Sequence, residues 1–314
     1  MLALCRRLQW LLRSTPALRA LVLLAITMPL PWLAEAAAAP KVYVGLFKDN
    51  AIAVLDTGSN RVQGTIPVPQ GPHGIVITPD GRKVYVSSDG ASTVSVIDTQ
   101  TDTVVKSIEV GANPHGLAIS SDGREVLVGA FGTNQVLLID TRTDHVVKRV
   151  PVPMPHNSAL SPDGHRAYVG SQQQGATAIV ILDLVQGTQV GTIPLDKTPR
   201  GVTLSPDATQ LYVTVAGIDA VQVVDLTSQR VVGQIPVGAS PHIVMMLPNG
   251  SAGLVVSQGP GTLDLLDPAH HTVSRTIRVG TNPHWLAISA DGRAAFVTMR
   301  ARRISPWWTW PVAQ

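Results

Sequence analysis

A repeat of about 42 residues constrains the fold of this chain more than any other feature. An aspartate that ends a β-rich run recurs at spacings of 42, 42, 43, 42 and 42 residues: Asp56, Asp98, Asp140, Asp183, Asp225 and Asp267. Proline followed by a basic residue forms a second series: Pro72-His73, Pro114-His115, Pro155-His156, Pro199-Arg200, Pro241-His242 and Pro283-His284. A third series is an Asp-Gly type of turn: Asp80-Gly81, Asp122-Gly123, Asp163-Gly164, Asp207-Ala208, Asn249-Gly250 and Asp291-Gly292. Three series in one register indicate a repeat architecture.

Each repeat unit predicts four short strands, A to D. In the second unit, strands are predicted at residues 74–78, 84–86, 93–98 and 103–110, with the Asp80-Gly81 turn between A and B. Four strands in about 42 residues are typical of a β-propeller blade, and blades bury their faces only by packing in a ring. The sequence therefore predicts an all-β propeller over residues 40–298.

The number of blades follows from counting predicted strands. The chain enters at strand B (residues 41–44), and residues 41–298 give 25 strands. The main prediction is a seven-bladed ring with an incomplete last blade. The alternative is a six-bladed closed ring, in which strand A at residues 286–288 completes the first blade and residues 296–298 remain as a surplus strand.

The repeat resembles the YVTN family of β-propeller repeat proteins, whose unit reads P-x-G-I-A-I-S-P-D-G-K-x-V-Y-V-T-N…V-S-V-I-D-T. Residues 72–99 and 114–141 are the nearest units, and the resemblance covers residues 41–298. The asparagine that gives the family its name is absent, and the glycine after Pro-His becomes Asn157, Ile243 or Trp285 in three units. The family is functionally diverse, so the resemblance implies the fold and leaves the function open.

The N-terminus predicts an export signal. Four arginines precede the apolar run at residues 20–26, and small residues follow at 36–39, so residues 1–39 are interpreted as a signal peptide. The alternative is an uncleaved anchor, and Arg6-Arg7 leaves a twin-arginine route open beside the Sec route. Cleavage would remove Cys5, the only cysteine. We expect a periplasmic or extracellular protein with no transmembrane segment after cleavage.

The basic charge of the chain lies outside the predicted propeller. The whole chain carries a formal charge of +3, whereas residues 40–298 hold 17 basic and 20 acidic side chains. These residues also contain few aromatic side chains on which bases could stack. A nucleic-acid partner is therefore not expected, and single-stranded DNA binding ranks below the other functions.

Residues 299–314 form an atypical basic, Trp-rich tail. The codons of Trp307-Trp308-Thr309 are TGG TGG ACN, and reading from the third base of the Trp307 codon gives Val-Asp. The hidden aspartate falls at position 309, which is 42 residues after Asp267. We hypothesise that the tail is a seventh strand C read in a shifted frame. The alternative is an authentic tail that contacts anionic membranes.

The candidate site is the series of basic residues that follow proline. Placed in the loop before each strand A, they are expected to line one mouth of the axial channel: His73, His115, His156, Arg200, His242 and His284. Neutral imidazoles could bind a divalent metal, and protonated ones with Arg200 could bind an anion. A structural role is favoured over ligand binding, because the Pro-His and Asp-Gly positions match those of the structural His and Asp of WD40 repeats, which form hydrogen bonds within a blade.

No local motif predicts catalysis. The repeated aspartates are interpreted as turn formers, and His270-His271 is only a weak candidate for a metal site. Hydrolase, phosphate-loop, zinc-protease and haem-attachment motifs are absent from the sequence. We predict a non-catalytic, exported binding or scaffolding module that uses one face of the ring, with an unknown protein or small-molecule partner and unknown cofactor and metal. The alternative is an enzyme or redox accessory, lactonase-like or haem d1-propeller-like, that uses the axial mouth.

Overall fold

The structure is a computed structural model that describes residues 40–300 and 309–311. The chain divides into two compact units, Met1–Pro40 and Lys41–Gln314. The predicted signal peptide, Cys5 and most of the tail lie outside the described residues. Within the described part of the chain, no helix is long and apolar enough to span a membrane.

The second unit consists of antiparallel β-sheets, as the repeat predicts. The first and last sheets have three strands each: β1 (Lys41–Leu46), β2 (Ala51–Asp56), β3 (Arg61–Pro67); and β24 (Pro283–Ile288), β25 (Ala294–Met299), β26 (Thr309–Pro311). Five sheets between them have four strands each: β4 (Pro72–Ile77), β5 (Lys83–Ser88), β6 (Thr93–Asp98), β7 (Thr103–Glu109); β8 (Pro114–Ile119), β9 (Glu125–Ala130), β10 (Gln135–Asp140), β11 (His145–Pro151); β12 (Pro155–Leu160), β13 (Arg166–Ser171), β14 (Ala178–Asp183), β15 (Thr188–Pro194); β16 (Pro199–Leu204), β17 (Gln210–Val215), β18 (Ala220–Asp225), β19 (Arg230–Pro236); β20 (Pro241–Met246), β21 (Gly253–Ser257), β22 (Thr262–Asp267), β23 (Thr272–Arg278). A single turn of 3-10 helix, Phe131–Thr133, follows β9.

The sheets are the blades of an all-β propeller, so the predicted fold class is confirmed. In each complete blade the strands pair in chain order A-B-C-D. Strand A of each blade neighbours strand A of the next, from β4 through β8, β12, β16 and β20 to β24. Apolar side chains of strands A, B and C are buried between neighbouring blades, as in the cluster of Val94, Val128 and Leu137.

Counting only the sheets that contain an inner strand A gives six blades. Six of the seven sheets contribute a strand A, and the first sheet, which begins at strand B, does not. This count matches the six-bladed alternative, and the main prediction of seven blades is not confirmed. The six-bladed alternative expects β24 to complete the first sheet. In the structure β24 instead pairs with β25, for example through Leu286 and Val297. Among the described residues, β24 has no pairing with β1.

The tail contributes one short strand that is out of step with the repeat. In other blades the aspartate that ends strand C pairs with the first residue of strand B, as Asp98 pairs with Lys83. The repeat would therefore pair Ala294 with residue 309. In the structure Ala294 pairs with Pro311, two residues later in the sequence.

The repeated aspartates form turns, as predicted. The Asp80 carboxylate accepts hydrogen bonds from the Thr78 hydroxyl at 2.5 Å and from the Arg82 backbone N–H at 3.0 Å. Asp98 accepts from the N–H groups of the two residues that begin the next turn, at 2.8 and 3.0 Å. These hydrogen bonds hold the pKa of each carboxyl below its usual value.

A polar clamp joins the first three sheets on the face where strand B begins. The Lys41 ammonium and the Tyr43 hydroxyl donate to the two oxygens of Asp102, both at 2.7 Å. Asp102 lies in the turn between β6 and β7, which belongs to the next blade. Lys83 and Tyr85 hold Asp144 of the third sheet in the same way. The clamp was not among the sequence predictions. Its signal in the sequence is a Lys-x-Tyr pattern that repeats after 42 residues.

Candidate functional site

The six predicted site residues lie within the inner strands, each at the second position of its strand A. They were expected in the preceding loop, and this placement is a correction. The ladder explains it: Pro72 pairs with Ser88, and regular pairing resumes only at Ile75 with Val86. A β-bulge therefore spans His73 and the residue after it.

The bulge is held by contacts between blades. The Gly74 N–H donates to the Ser87 hydroxyl at 2.9 Å, and this hydroxyl donates to the His115 carbonyl of the next blade at 2.6 Å. Thr214 makes the equivalent bridge from Gly201 to the His242 carbonyl, at 2.7 and 2.8 Å. The backbone carbonyls of His115 and His242 are thereby fixed to the blade before each of them.

The imidazoles stack on one another around the axis. Ring centroids are 3.7 Å apart for His73 and His115, and 4.0 Å apart both for His115 with His156 and for His242 with His284. His284 also meets His73 edge-on at 5.8 Å, so the last inner strand approaches the first. The structure thus brings all five histidines into one cluster, named here the imidazole circle.

Arg200 occupies the remaining position between His156 and His242. Its carbonyl oxygen lies 3.3 Å from His156 Nδ1 and accepts a hydrogen bond from the Asn157 amide at 2.8 Å. Its guanidinium donates to the Gln258 side-chain oxygen at 3.4 Å. Arg200 therefore completes the circle of predicted residues.

The imidazoles of the circle are neutral at pH 7. Burial, and then the charge of neighbouring groups, lowers the pKa of His115 to about 2, of His156 to about 3 and of His284 to about 4. The same causes lower the pKa of His73 and His242. An anion site that depends on protonated imidazoles is therefore not what this cluster provides.

A second arginine, Arg300, carries positive charge to the same mouth. Its charge lowers the pKa of His73, His284 and Arg200, which places it within electrostatic range of all three. Arg300 directly follows β25, and Gln258 follows β21 at the equivalent repeat position. The repeat predicts neither Arg300 nor Gln258 as a site residue, because the residue type at the position after strand B varies from blade to blade.

Two aromatic side chains lie close to His73. The ring centroid of Trp285 is 6.1 Å from that of His73, and the ring centroid of Phe47 is 6.4 Å from it. Phe47 is 49% exposed. Trp285 stands where other repeats have glycine, asparagine or isoleucine. This departure from the repeat is the sequence feature that could have indicated Trp285 as a site residue.

The imidazole circle does not have the geometry of a metal chelate. Within the described residues, no group of three or more His, Cys, Asp or Glu side chains is placed to hold a metal ion. His270 instead contacts Asp267, with Nδ1 at 2.7 Å from the carboxylate.

The structure also lacks the hydrogen bond expected for a WD40-like role. The Nδ1 atoms of His73, His115 and His242 are buried and have no hydrogen-bond partner among the described residues. The turn aspartates take their hydrogen bonds from nearby hydroxyl and backbone groups. Buried polar atoms without partners are uncommon in native proteins, so each calls for an explanation.

Fold and site together define a β-propeller whose inner strands carry a circle of imidazoles near two arginines. Family models for the cytochrome D1 heme domain and for YNCE-like β-propellers match residues 43–163 and 120–252, each less than half of the chain. Hydrazine synthase of Kuenenia stuttgartiensis is similar in structure, with a TM-score of 0.77, 20% identity, and coverage of 82% of this chain and 89% of that one. The dihydro-heme d1 dehydrogenase NirN in complex with DHE has a TM-score of 0.62 and 18% identity, covering 91% of this chain and 76% of that one. No curated protein matches this sequence.

Proposed function

We propose that this protein is an exported binding module, and that its axial mouth holds an anionic small molecule or an anionic group of a protein partner. The observation that carries the proposal is the imidazole circle itself. Six separate strands bring five neutral imidazoles together beside a guanidinium; His242 is buried and the other four are half-buried. Among the described residues, three buried imidazole nitrogens are left without partners. A purely structural role would satisfy those nitrogens inside the fold.

Charge at the mouth selects the class of ligand. Arg200 and Arg300 are the cationic groups that act on the circle, while the imidazoles around them stay neutral. A neutral imidazole donates one hydrogen bond without adding charge, and a guanidinium recognises carboxylate or phosphate oxygens through paired N–H groups. The arrangement therefore favours an anion with several oxygen atoms.

Titration calorimetry with inorganic phosphate at constant ionic strength tests this proposal. We expect binding to the wild-type protein and at least about fivefold weaker binding to Arg200→Gln, because one charge-assisted contact is lost. Arg293→Gln is the matched control, since Arg293 is exposed in a turn on the opposite face. Equal phosphate affinity in all three proteins would reject the axial anion site.

The histidines need a separate test of ligand binding against structure. The double variant His242→Ala/His284→Ala, combined with metal analysis of the purified protein, distinguishes the two roles. Lower stability with unchanged ligand and metal content would support a structural role. Loss of phosphate binding in a protein that remains folded would support the binding module.

The match to the cytochrome D1 heme domain favours a second candidate, a haem-related redox accessory. The matched segment contains His73, His115 and His156, and imidazole is a common axial ligand of haem iron. The packing does not fit a tetrapyrrole, because the imidazoles stack on each other at 3.7 and 4.0 Å. Adding haemin and recording the Soret band tests this candidate: an unshifted band would exclude it, and a shifted band lost in the double variant would support it.

An exported location is part of the proposal. It rests on the signal-like residues 1–39 and on a mature chain without cysteine. Cell fractionation with N-terminal sequencing of the mature protein tests it. An intact N-terminus in the cytoplasmic fraction would contradict export.

A further inference from the structure

The polar clamp between blades has a vacant counterpart in the fourth sheet. In the first two sheets, strand B supplies a cation and a tyrosine two residues later, and the next blade supplies the carboxylate that both of them hold. In the fourth sheet, β13 supplies Arg166 and Tyr168 at those two positions. The next blade places Gln229 where the acid would be.

The backbone at this position keeps the geometry of the occupied clamps. Gln229 has a φ of 53°, compared with 54° for Asp102 and 55° for Asp144. Aspartate tolerates this left-handed conformation better than glutamine does. The substitution therefore removes the carboxylate while the turn that would present it is retained.

A cleft of about 180 Å³ lies at the place of the missing carboxylate. It is lined by Arg166, Tyr168 and Gln229, with the apolar side chains of Ile181 and Leu226. Burial raises the pKa of the Tyr168 phenol, and the charge of Arg166 partly offsets this rise, so the two groups are electrostatically close. Among the described residues, the Arg166 side chain forms no ion pair.

We propose that this cleft binds a carboxylate group, held by Arg166 and Tyr168 as the other clamps hold Asp102 and Asp144. A guanidinium pairs with a carboxylate through two N–H groups, and the phenol donates a further hydrogen bond. Ile181 and Leu226 complete the lining of a small, mainly polar cleft, so the ligand is a small carboxylic acid. The cleft opens on the face opposite the axial mouth and is independent of the function proposed for the mouth.

The other strands B show why the cleft is specific to this blade. The third sheet has Glu125 at the cation position, and the fifth has Gln210, whose side-chain oxygen accepts from the Tyr212 hydroxyl at 3.0 Å. Neither of these blades offers a cation and a free phenol together. Among the described strands, β13 alone keeps the pair without an internal acid.

Saturation-transfer NMR with butyrate tests the proposal, and butyramide serves as the uncharged probe of the same shape. We expect saturation transfer to butyrate in the wild-type protein, with transfer to butyramide reduced at least about fivefold. Arg166→Gln should reduce the butyrate signal to the same extent, because it removes the charge that recognises the carboxylate. Equal transfer to both probes, or an unchanged signal in Arg166→Gln, would overturn the proposal.

Two substitutions at one position provide the matched controls. Gln229→Asp supplies an internal carboxylate and should abolish the butyrate signal while raising the melting temperature. Gln229→Asn has the same preference for the left-handed backbone without the charge, so it should keep the butyrate signal. A butyrate signal that survives in Gln229→Asp would show that the ligand does not occupy the clamp position and would refute the inference.

Discussion

The imidazole circle predicts a steep loss of stability on mild acidification. An unfolded histidine has a pKa near 6.5, whereas His115 in the folded protein has a pKa of about 2. Below pH 6.5 the unfolded chain therefore binds a proton that the folded chain does not. The free energy of unfolding falls as the pH falls, by about 1.4 kcal/mol per pH unit for each such imidazole.

The magnitude follows from five imidazoles with lowered pKa values. Between pH 6.5 and pH 5.0, each contributes a loss of about 2 kcal/mol, so the full circle contributes up to about 10 kcal/mol if the groups act independently. A domain typically has only about 5–15 kcal/mol of stability. The turn aspartates do not interfere, because their pKa values are lowered and their contribution is lost only below about pH 4.

Urea unfolding at pH 7.5, 6.5, 5.75 and 5.0 measures this loss. We expect His115→Gln to reduce the slope of unfolding free energy against pH by about 1.4 kcal/mol per unit, which is the share of one imidazole. His165→Gln is the control, since His165 is exposed in a turn. A wild-type unfolding free energy that does not change between pH 7.5 and 5.0 would refute the buried, neutral circle.

Three further predictions concern the clamp, the inner strands and the tail. Asp144→Asn should lower the unfolding free energy by about 1–3 kcal/mol in urea titrations, because it removes a carboxylate that two side chains hold, whereas exposed Arg142→Gln should cost less than about 1 kcal/mol. Gly116→Ala should lower the melting temperature by several degrees, since its Cβ would overlap the His156 carbonyl; Gly64→Ala, with open space around it, should cost much less. If the tail is a shifted reading frame, resequenced DNA beyond codon 298 should encode a strand D and another Pro-His unit in the alternative frame; a confirmed frame as printed would contradict this.

The fold could be predicted from the sequence because each blade repeats the same local signals. The Asp-Gly turns and the alternating strands depend on neighbours in sequence, and the structure confirms both. The number of blades could not be read in the same way, because closure depends on how the first and last sheets meet. Strand counting treats β24 as free to complete the first sheet, but its pairing with β25 is already satisfied.

The sequence predicts which residues form the site but not their protonation state. His73, His115 and the four equivalent residues share one repeat position, and residues at one position of a propeller repeat lie on one level of the ring. Their lowered pKa values arise from burial and then from the charges of neighbouring groups, both of which depend on distances between blades and are absent from a single repeat unit. Arg300 escaped notice for a related reason, because its position varies between blades.

The departures from the repeat carry the functional information in this molecule. Positions that recur from blade to blade, such as the turn aspartates, are satisfied inside the fold and hold the turns of their own blade. Arg200 breaks the histidine series and brings the cation to the mouth, and Gln229 breaks the clamp series and leaves Arg166 without an internal acid. A symmetric ring made of identical units would offer every ligand several equal sites. Because Arg200 and Gln229 each occur in one blade only, we propose that this propeller has one cationic mouth and one cleft for a carboxylate, on opposite faces.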